Sequence, residues 1–381
     1  MNNENSHVHE TATRADTVGG GEGLSLASSE DVESSSALGH LSYRQLIWRR
    51  FRKNRMGLIA GGVLLIFYIV ALGADFFAPY HYNEINMRLR HVPPQRLHFS
   101  PSDGVYVYGL KSVRNPESLE LEFTRDLEQR HPVTLFFKDA KGQRHLFSSE
   151  GPMFLFGTDR MGRDLLSRMI YGGRVSMTLG LVGVFLSIVL GSILGTISGY
   201  WGGWVDNLIQ RVIEILSAFP NIPLWMALGA ALPPGWSSIQ IYFGITIILS
   251  IISWGGLARQ VRGKVLAYRE SDFVMAARAA GAGHWHIITK HLLPGCYSHI
   301  IVIATLAIPG MILGETSLSF LGLGIRPPMT SWGVLLEEAQ RVTVLLHYPW
   351  LIFPAVPVLV VVIAFNFLGD ALRDAADPYS D

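Results

Sequence analysis

Acidic residues among apolar neighbours are the side chains of this sequence best placed to do chemistry. Glu315 is the clearest case: Gly314 precedes it, a Thr-Ser-Leu-Ser stretch follows it, and the nearest charged residue before it is Lys290. A carboxylate in apolar surroundings is costly unless it is paired or faces water, so such residues usually have a function. Glu315 is therefore a candidate for lining a translocation path, for pairing with a neighbouring subunit, or for a structural pairing.

The sequence lacks the residue patterns by which enzymes bind metals or nucleotides. Its 13 histidines are scattered without an H-E-x-x-H pattern, and the single cysteine, Cys296, allows neither an intrachain disulfide nor a zinc cluster. Gly263-Lys264 is the nearest approach to a phosphate-binding loop, but Val265 stands where Ser or Thr must bind Mg²⁺. No G-x-S-x-G motif occurs either. We therefore expect a non-catalytic protein that binds no cofactor itself.

The distribution of charge shows which elements must carry these residues. Only 16% of the residues are charged, against about 25% in soluble domains. Five uncharged runs are 19, 31, 44, 24 and 28 residues long, and they cover 56–74, 175–205, 215–258, 291–314 and 342–369. A helix needs about 20 apolar residues to cross a bilayer. This excludes a soluble enzyme and predicts an all-α, polytopic membrane protein.

The longest run is too long for one helix, and the turn signal at Pro233-Pro234-Gly235 divides it. Six transmembrane helices are then predicted, over 56–77, 175–199, 207–232, 238–258, 296–324 and 349–370. The positive-inside rule places both termini in the cytoplasm, because the inside segments then carry 13 Lys and Arg and the short outer loops carry two. A net charge of +1 gives no reason to expect a nucleic-acid partner.

The segments outside the core differ in composition. Residues 1–40 are polar and predict a disordered cytoplasmic tail, and 41–77 combine a basic segment with the first span. Residues 78–174 predict a small β-rich extracytoplasmic module, with a hairpin over 133–147, which is either a structural cap or a platform for a partner. The module is expected to end in an interfacial helix that Thr158 caps. The membrane core, with the other five spans, would cover 175–372, and 373–381 would form a cytoplasmic tail.

Two patterns predict contacts between or within helices. Gly191, Gly195 and Gly199 form a ridge of small residues on the second span, which allows close contact with another helix of the chain or of a partner. Arg211 and Glu214 lie three residues apart at the start of the third span, where they could pair with each other or with Asp206.

The strongest local signal lies in the cytoplasmic loop 259–295. Residues 273–280 are rich in alanine and predict a helix that Gly281 and Gly283 end. A second short helix is expected from Ile287 to Leu293, limited by Pro294. Two short helices bent at glycine suit docking in a groove of a soluble partner. The pattern fits a solvated inner loop equally well.

The same segment resembles the "EAA" loop of ABC-importer permease subunits, which reads E-A-A, three residues, G, nine residues, I-x-L-P. Ala276, Ala277, Gly281, Leu293 and Pro294 match it. Met275 stands where the motif has Glu and His291 where it has Ile, so Met275 removes a charge from the expected contact surface.

Further segments are similar to the dipeptide, oligopeptide and nickel branch of these permeases, and to its second permease subunit in particular. The resemblance covers about 41–80 and 154–381, and its motifs are 49–55, 156–164, 315–324 and 372–378. It implies a type I ABC-importer-like permease core in the plasma (inner) membrane. Residues 81–153 are longer than the corresponding part of the shortest relatives.

The resemblance implies one half of a translocation path for di- or oligopeptides. The implied partners are a second homologous permease, two ATP-binding cassette ATPases that carry ATP and Mg²⁺, and an extracytoplasmic solute-binding protein. Small residues at 276, 277 and 281 would seat the loop on an ATPase, and Leu293 and Pro294 would transmit its motion to the fifth span. Nickel, oligosaccharide or opine-like cargo remains an alternative, as do an ion-coupled secondary carrier and a membrane-anchored sensor.

Overall fold

The structure is a computed structural model that describes residues 43–101, 104–114, 116, 121–138, 142 and 144–376. The predicted disordered tail 1–40 lies outside the described residues, as do 377–381. Residues Ile47–Asp381 form one compact unit, and all contacts given below lie within it.

Helices make up most of this unit, and a sheet is inserted after the first long helix. The helices are α1 Tyr43–Lys53, α2 Arg55–Leu72, α3 Ala74–Phe77, α4 Leu165–Trp201, α5 Gly203–Ala218, α6 Asn221–Ala230, α7 Ser238–Tyr268, α8 Asp272–Ala279, α9 His284–Ile287, α10 Leu293–Phe320, α11 Trp332–Glu338, α12 Val342–His347 and α13 Ala355–Ala376. The strands are β1 His98–Ser100, β2 Gly104–Arg114, β3 Leu121–Lys138 and β4 Arg144–Ser149.

Five helical segments among the described residues are long and apolar enough to cross a membrane, and a bent pair would make a sixth. The bent pair is α5 and α6, which meet at 88° where the sequence predicts one straight span over 207–232. Pro220 accounts for the difference. A proline disfavours helical geometry in the residue before it, and Phe219 is extended.

The glycine ridge lies on α4 and packs against α7. A Cβ at Gly195 would lie 3.0 Å or less from the backbone of Ala258, and one at Gly199 would lie 2.9 Å from Val265 and from the carbonyl oxygen of Arg262. The ridge therefore serves a contact within the chain, since only residues without a side chain let the two helices approach this closely.

One apolar core joins α2, α4, α7, α10 and α13. Its members are fully or almost fully buried, and they include Leu64, Met177, Leu179, Ile245, Leu249, Ile312, Val361 and Phe365. A second core lies where α4 and α7 end, beneath the loop 272–292, and it includes Tyr200, Val261, Val265, Val274, Ile287 and Leu292.

The insertion forms a four-stranded antiparallel sheet in the order β1-β2-β3-β4. The predicted hairpin is confirmed, because Val133 pairs with Ser149 and Lys138 with Arg144. The first arm of this hairpin belongs to a longer strand, since β3 runs from Leu121 to Lys138. The sheet adjoins α3, since the Nδ1 atom of His145 lies 2.6 Å from the carbonyl oxygen of Ala78. Ala74 and Ala78 in turn pack against Tyr171, near the start of α4. We call this end of the bundle the sheet end.

The expected interfacial helix before the second span is wrong, and so is its cap. Thr158 is fully buried in an extended turn, where its hydroxyl accepts from the Val92 N–H at 2.8 Å. Asp164 is the N-cap instead, and α4 runs unbroken from Leu165 to Trp201. Apolar residues recur at helical spacing between 161 and 170, which indicated a helix at the membrane surface. Their charged neighbours Arg163 and Arg168 are buried, because Asp159 pairs with both.

Candidate functional site

The loop 272–292 lies at the other end of the bundle, which we call the loop end. Its first helix, α8, ends where the sequence predicts, with Gly281 in the left-handed conformation at a φ of +81°. The N–H of Gly281 donates to the Arg278 carbonyl and that of Ala282 to the Ala277 carbonyl, both at 3.0 Å. These two bonds form a Schellman motif, in which glycine adopts a positive φ at the least cost.

One side of the loop is anchored on the bundle. Val274, Ile287 and Leu292 are almost fully buried and pack in the second core. The hydroxyl of Tyr200, near the end of α4, lies 2.8 Å from the Nδ1 atom of His284. The Arg278 guanidinium lies over the Tyr200 ring, 5.7 Å from its centroid. The loop is therefore fixed to both α4 and α7.

The other side of the loop presents apolar side chains. Phe273 is 47% exposed, Met275 51% and Trp285 65%. Ala276 and Gly281 are also exposed, Ala277 is half-buried, and no described atom lies within 4 Å of an ideal Cβ at Gly281. An exposed apolar surface at the end of the bundle, in the loop and the first residues of the next helical segment, is typical of a site of interaction with another molecule. We call this set of residues the apolar face of the loop.

Leu293 and Pro294 join the loop to the bundle without a break. The expected short helix from Ile287 to Leu293, ended by Pro294, is wrong: residues His284–Phe320 form one 37-residue helical segment. Within it, Ile288–Leu292 form a wider π-helical turn, and the Leu293 N–H donates to Ile288, five residues earlier. The proline follows directly after this wider turn, at the second residue of α10.

Glu315 lies inside the bundle and is fully buried. Its Oε2 accepts from the Ser176 hydroxyl at 2.8 Å, and its Oε1 from the Ser319 hydroxyl at 2.7 Å. The Ser176 hydroxyl in turn accepts from the backbone N–H of Trp332 at 3.2 Å, so the carboxylate joins α4, α10 and α11. In this conformation Glu315 is exposed at no surface of the described chain.

The acidic residues near the start of the third span separate into two pairs. Arg211 and Glu214 form the predicted pair, 2.9 Å apart and exposed. Asp206 pairs instead with Arg262 of α7, whose Nε atom lies 2.6 Å from the carboxylate. The sequence could not identify this partner, because the two residues are 56 positions apart.

A mostly apolar cavity with a few polar groups in its wall lies beside the break between α5 and α6. Its volume is about 380 Å³, and its polar lining residues are Ser187, Asn221, Trp225, Ser253 and Gln260. The indole N–H of Trp225 is buried and has no hydrogen-bond partner among the described residues. No motif in the sequence marks these residues as a site, although Pro220 is a signal that the helix breaks next to Asn221.

Comparison with known proteins decides the class of protein. A family model for the inner membrane component of binding-protein-dependent transport systems matches residues 187–379, just over half of the chain. The chain belongs to this family of permeases. A second model, for the N-terminal transmembrane domain of oligopeptide transport permease C, matches residues 42–94. The permease is thus a non-catalytic membrane subunit of an ABC importer.

Individual relatives agree with this membership. The permease is 35% identical to the dipeptide transport system permease protein DppC of Lactococcus lactis subsp. cremoris, over 89% of this chain and 91% of the relative. It is 46% identical to the oligopeptide transport system permease protein OppC of Haemophilus influenzae, over 58% and 70%. Among solved structures, the inward-facing MetNI methionine ABC transporter matches 55% of this chain and 97% of its own at 16% identity, with a TM-score of 0.39.

Proposed function

We propose that the permease forms half of the translocation path of an importer for dipeptides or oligopeptides. Relatives whose names specify dipeptide, oligopeptide and glutathione transport support a peptide cargo. Nickel, oligosaccharide or opine-like solutes remain the alternative cargo. The importer would contain a second homologous permease, two ATPases and an extracytoplasmic binding protein, and this chain would bind no cofactor.

The apolar face of the loop carries the proposal. Met275, Ala276, Ala277 and Gly281 would seat on an ATPase, because small residues at the end of α8 leave room for a partner at Phe273 and Trp285. Leu293 and Pro294 would pass the movement of the ATPase into α10, because the helix continues through them. The loop end, and with it both termini, would lie in the cytoplasm, as the charge distribution predicts.

The cavity beside the break between α5 and α6 would form this subunit's wall of the path, with its polar groups spaced along a mostly apolar surface. Polar groups that face a cavity inside a membrane, next to a broken helix, are typical of substrate routes in transporters. Asn221 lies at the break, and Ser253 and Gln260 lie on the same side of α7. Glu315 would hold α4, α10 and α11 together around this wall, since its carboxylate binds serines on two of these helices.

Chemical crosslinking tests the docking assignment. The native background is low, because the single cysteine, Cys296, is fully buried. Met275→Cys would be treated in native membranes with a thiol–amine crosslinker, and the products identified by mass spectrometry. We expect an adduct with an ATPase. The matched variant Ile239→Cys, 62% exposed at the start of α7, should give none, since α7 begins at the sheet end.

Purification of the tagged protein in mild detergent tests the assembly. A second permease and an ATPase should co-purify, and a homo-oligomer without an ATPase would overturn the proposal. Uptake of labelled dipeptides by the reconstituted complex, with Ni²⁺ as the competing cargo, then separates the peptide proposal from its alternative.

A further inference from the structure

The turn before α4 contains a buried ionic cluster that the transport function described above does not use. Asp159 is fully buried. Its Oδ1 accepts from the backbone N–H groups of Met161 at 2.8 Å and Arg163 at 3.0 Å. Its Oδ2 accepts from the Arg163 Nε at 2.7 Å and from the guanidinium of Arg168. One carboxylate therefore serves two arginines.

The cluster carries unused hydrogen-bonding capacity. Arg168 is only 3% exposed, and its Nε–H has no partner among the described residues. Burial alone would raise the pKa of Asp159, but Arg168 and Arg163 together hold that pKa below its usual value, so the carboxylate is charged at neutral pH. Two guanidiniums against one carboxylate leave an excess of positive charge, and a buried donor without a partner is costly.

Both arginines line a cavity at the sheet end. Its volume is about 210 Å³, and its charged or titratable lining residues are His91, Arg160, Arg163, Arg168, Glu337, Glu338 and Arg341. Arg160 and Arg341 are exposed at its mouth. Glu338 already accepts from the Arg160 backbone N–H at 2.7 Å. With Asp159 behind Arg163 and Arg168, four guanidiniums stand against three carboxylates, which leaves an excess of one positive charge. We call this space the arginine cavity.

The size and charge of the arginine cavity define its occupant. Sites for whole small molecules usually measure about 300–1,000 Å³, so this one suits a single chemical group. Guanidiniums bind carboxylates through paired, charge-assisted hydrogen bonds. The cavity lies at the opposite end of α4 from the loop, so under the proposed function it opens to the extracytoplasmic side, where the binding protein docks.

We propose that the arginine cavity receives the carboxylate of one Asp or Glu side chain of the soluble binding protein. Arg160 and Arg341 attract this carboxylate at the mouth, and Arg163 and Arg168 bind it inside. Asp159 is a positioning residue, because it fixes both inner guanidiniums from behind. This inference rests on the proposed function, since only an importer of this type has such a partner.

Binding of the purified cognate binding protein to the complete importer in nanodiscs tests the proposal. Arg341→Glu and Arg160→Glu should each weaken its Kd by about tenfold or more at low salt, because a like charge replaces an attractive one. Arg125→Glu is the matched control: Arg125 is exposed on β3, outside the cavity, and its reversal should leave Kd within about twofold. Co-purification of the ATPases with each variant confirms folding and assembly.

A charge exchange identifies the partner group. In the binding protein, each acidic residue near the docking surface is changed to Arg, and one such change should restore binding to Arg341→Glu. An unchanged Kd for both cavity variants would overturn the proposal. So would a normal Kd with lost peptide uptake, which would assign the cavity to a peptide carboxylate. An importer without any ATPase would instead contradict the proposed function, so the two failures are distinguishable.

Discussion

The two ends of the bundle are built for contact by opposite means. At the loop end, the apolar face exposes Phe273, Met275 and Trp285 beside the charged Arg278 and Lys290, and its conformation depends on a backbone cap at Gly281. At the sheet end, the turn before α4 and the first turn of α4 bury the titratable side chains of Asp159, Arg163, Asp164 and Arg168. The first surface relies on shape and the second on charge.

Because of this difference, salt should affect contacts at the two ends differently. Apolar contacts depend little on salt, whereas contacts between charges weaken as salt screens them. Under the proposed function, the loop end would hold a partner through every transport cycle, and an apolar surface suits a permanent contact. The sheet end would meet a soluble partner that arrives and leaves, and charge speeds such encounters.

The largest expected effect is at the loop end. Gly281→Arg should abolish ATP-driven uptake while leaving membrane insertion intact, because a long charged side chain would stand on the apolar face at a φ that disfavours any side chain. Uptake per unit of membrane-inserted protein measures it. Gly283→Arg is the control, since Gly283 has a φ of −70°. Normal uptake by Gly281→Arg would remove the coupling assignment.

The next effect breaks the charge cluster at the sheet end. Asp159→Asn should destabilise the protein by about 3–5 kcal/mol, because it leaves two buried arginines without their carboxylate. Thermal unfolding in detergent measures the loss. Asp75→Asn should cost about 0–1 kcal/mol, since the Asp75–Arg174 pair is partly exposed. Equal shifts in Tm for the two variants would contradict the cluster's role.

A smaller effect concerns pH at the same end. Burial raises the pKa of Asp164 to about 7, above the usual value of about 3.9. The folded state then holds a proton that the unfolded state has lost, so stability falls as pH rises from about 4 to 7 and is level above. Between pH 5 and 8 the loss should be about 2–3 kcal/mol.

The variant Asp164→Asn isolates this titration, because asparagine keeps the N-cap of α4 but carries no charge. Its Tm should fall less than that of the wild type between pH 5 and 8, when each is measured in the same detergent. Parallel Tm curves would assign the pH dependence to other groups.

The smallest effect is expected when a charge is placed on the apolar face of the loop. Met275→Glu restores the glutamate of the family motif on an exposed position, where an ion pair contributes about 0.2–1 kcal/mol. Uptake should stay within about twofold of the wild type, but binding of the ATPase should become dependent on salt. Met275→Gln has a similar size without charge and should show no such dependence.

Sequence reasoning succeeded where local pattern and burial coincide. The alanine-rich run and Gly281 predicted α8 and its end, and the glycine ridge predicted a close helix contact. It failed where distant residues decide the outcome. The apolar residues between 161 and 170 also fit a helix that lies exposed at the membrane surface, because nothing nearby in the sequence shows that Arg163 and Arg168 are buried. Pro220 was a sequence signal for the bend between α5 and α6, but the uncharged run around it predicted one straight span.

The segment from His284 to Phe320 has a mechanical consequence. At 1.5 Å per residue its 37 residues span about 55 Å, so it exceeds the hydrocarbon core of about 30 Å. The π-helical turn at Ile288–Leu292 and Pro309 inside α10 are the two places where the segment can bend. A tilt of about 10° of the whole segment around its midpoint would displace each end by about 5 Å, in opposite directions. A movement of Trp285 would then reach the residues beyond Phe320, where the chain leads to the walls of the arginine cavity, less whatever these two bends absorb.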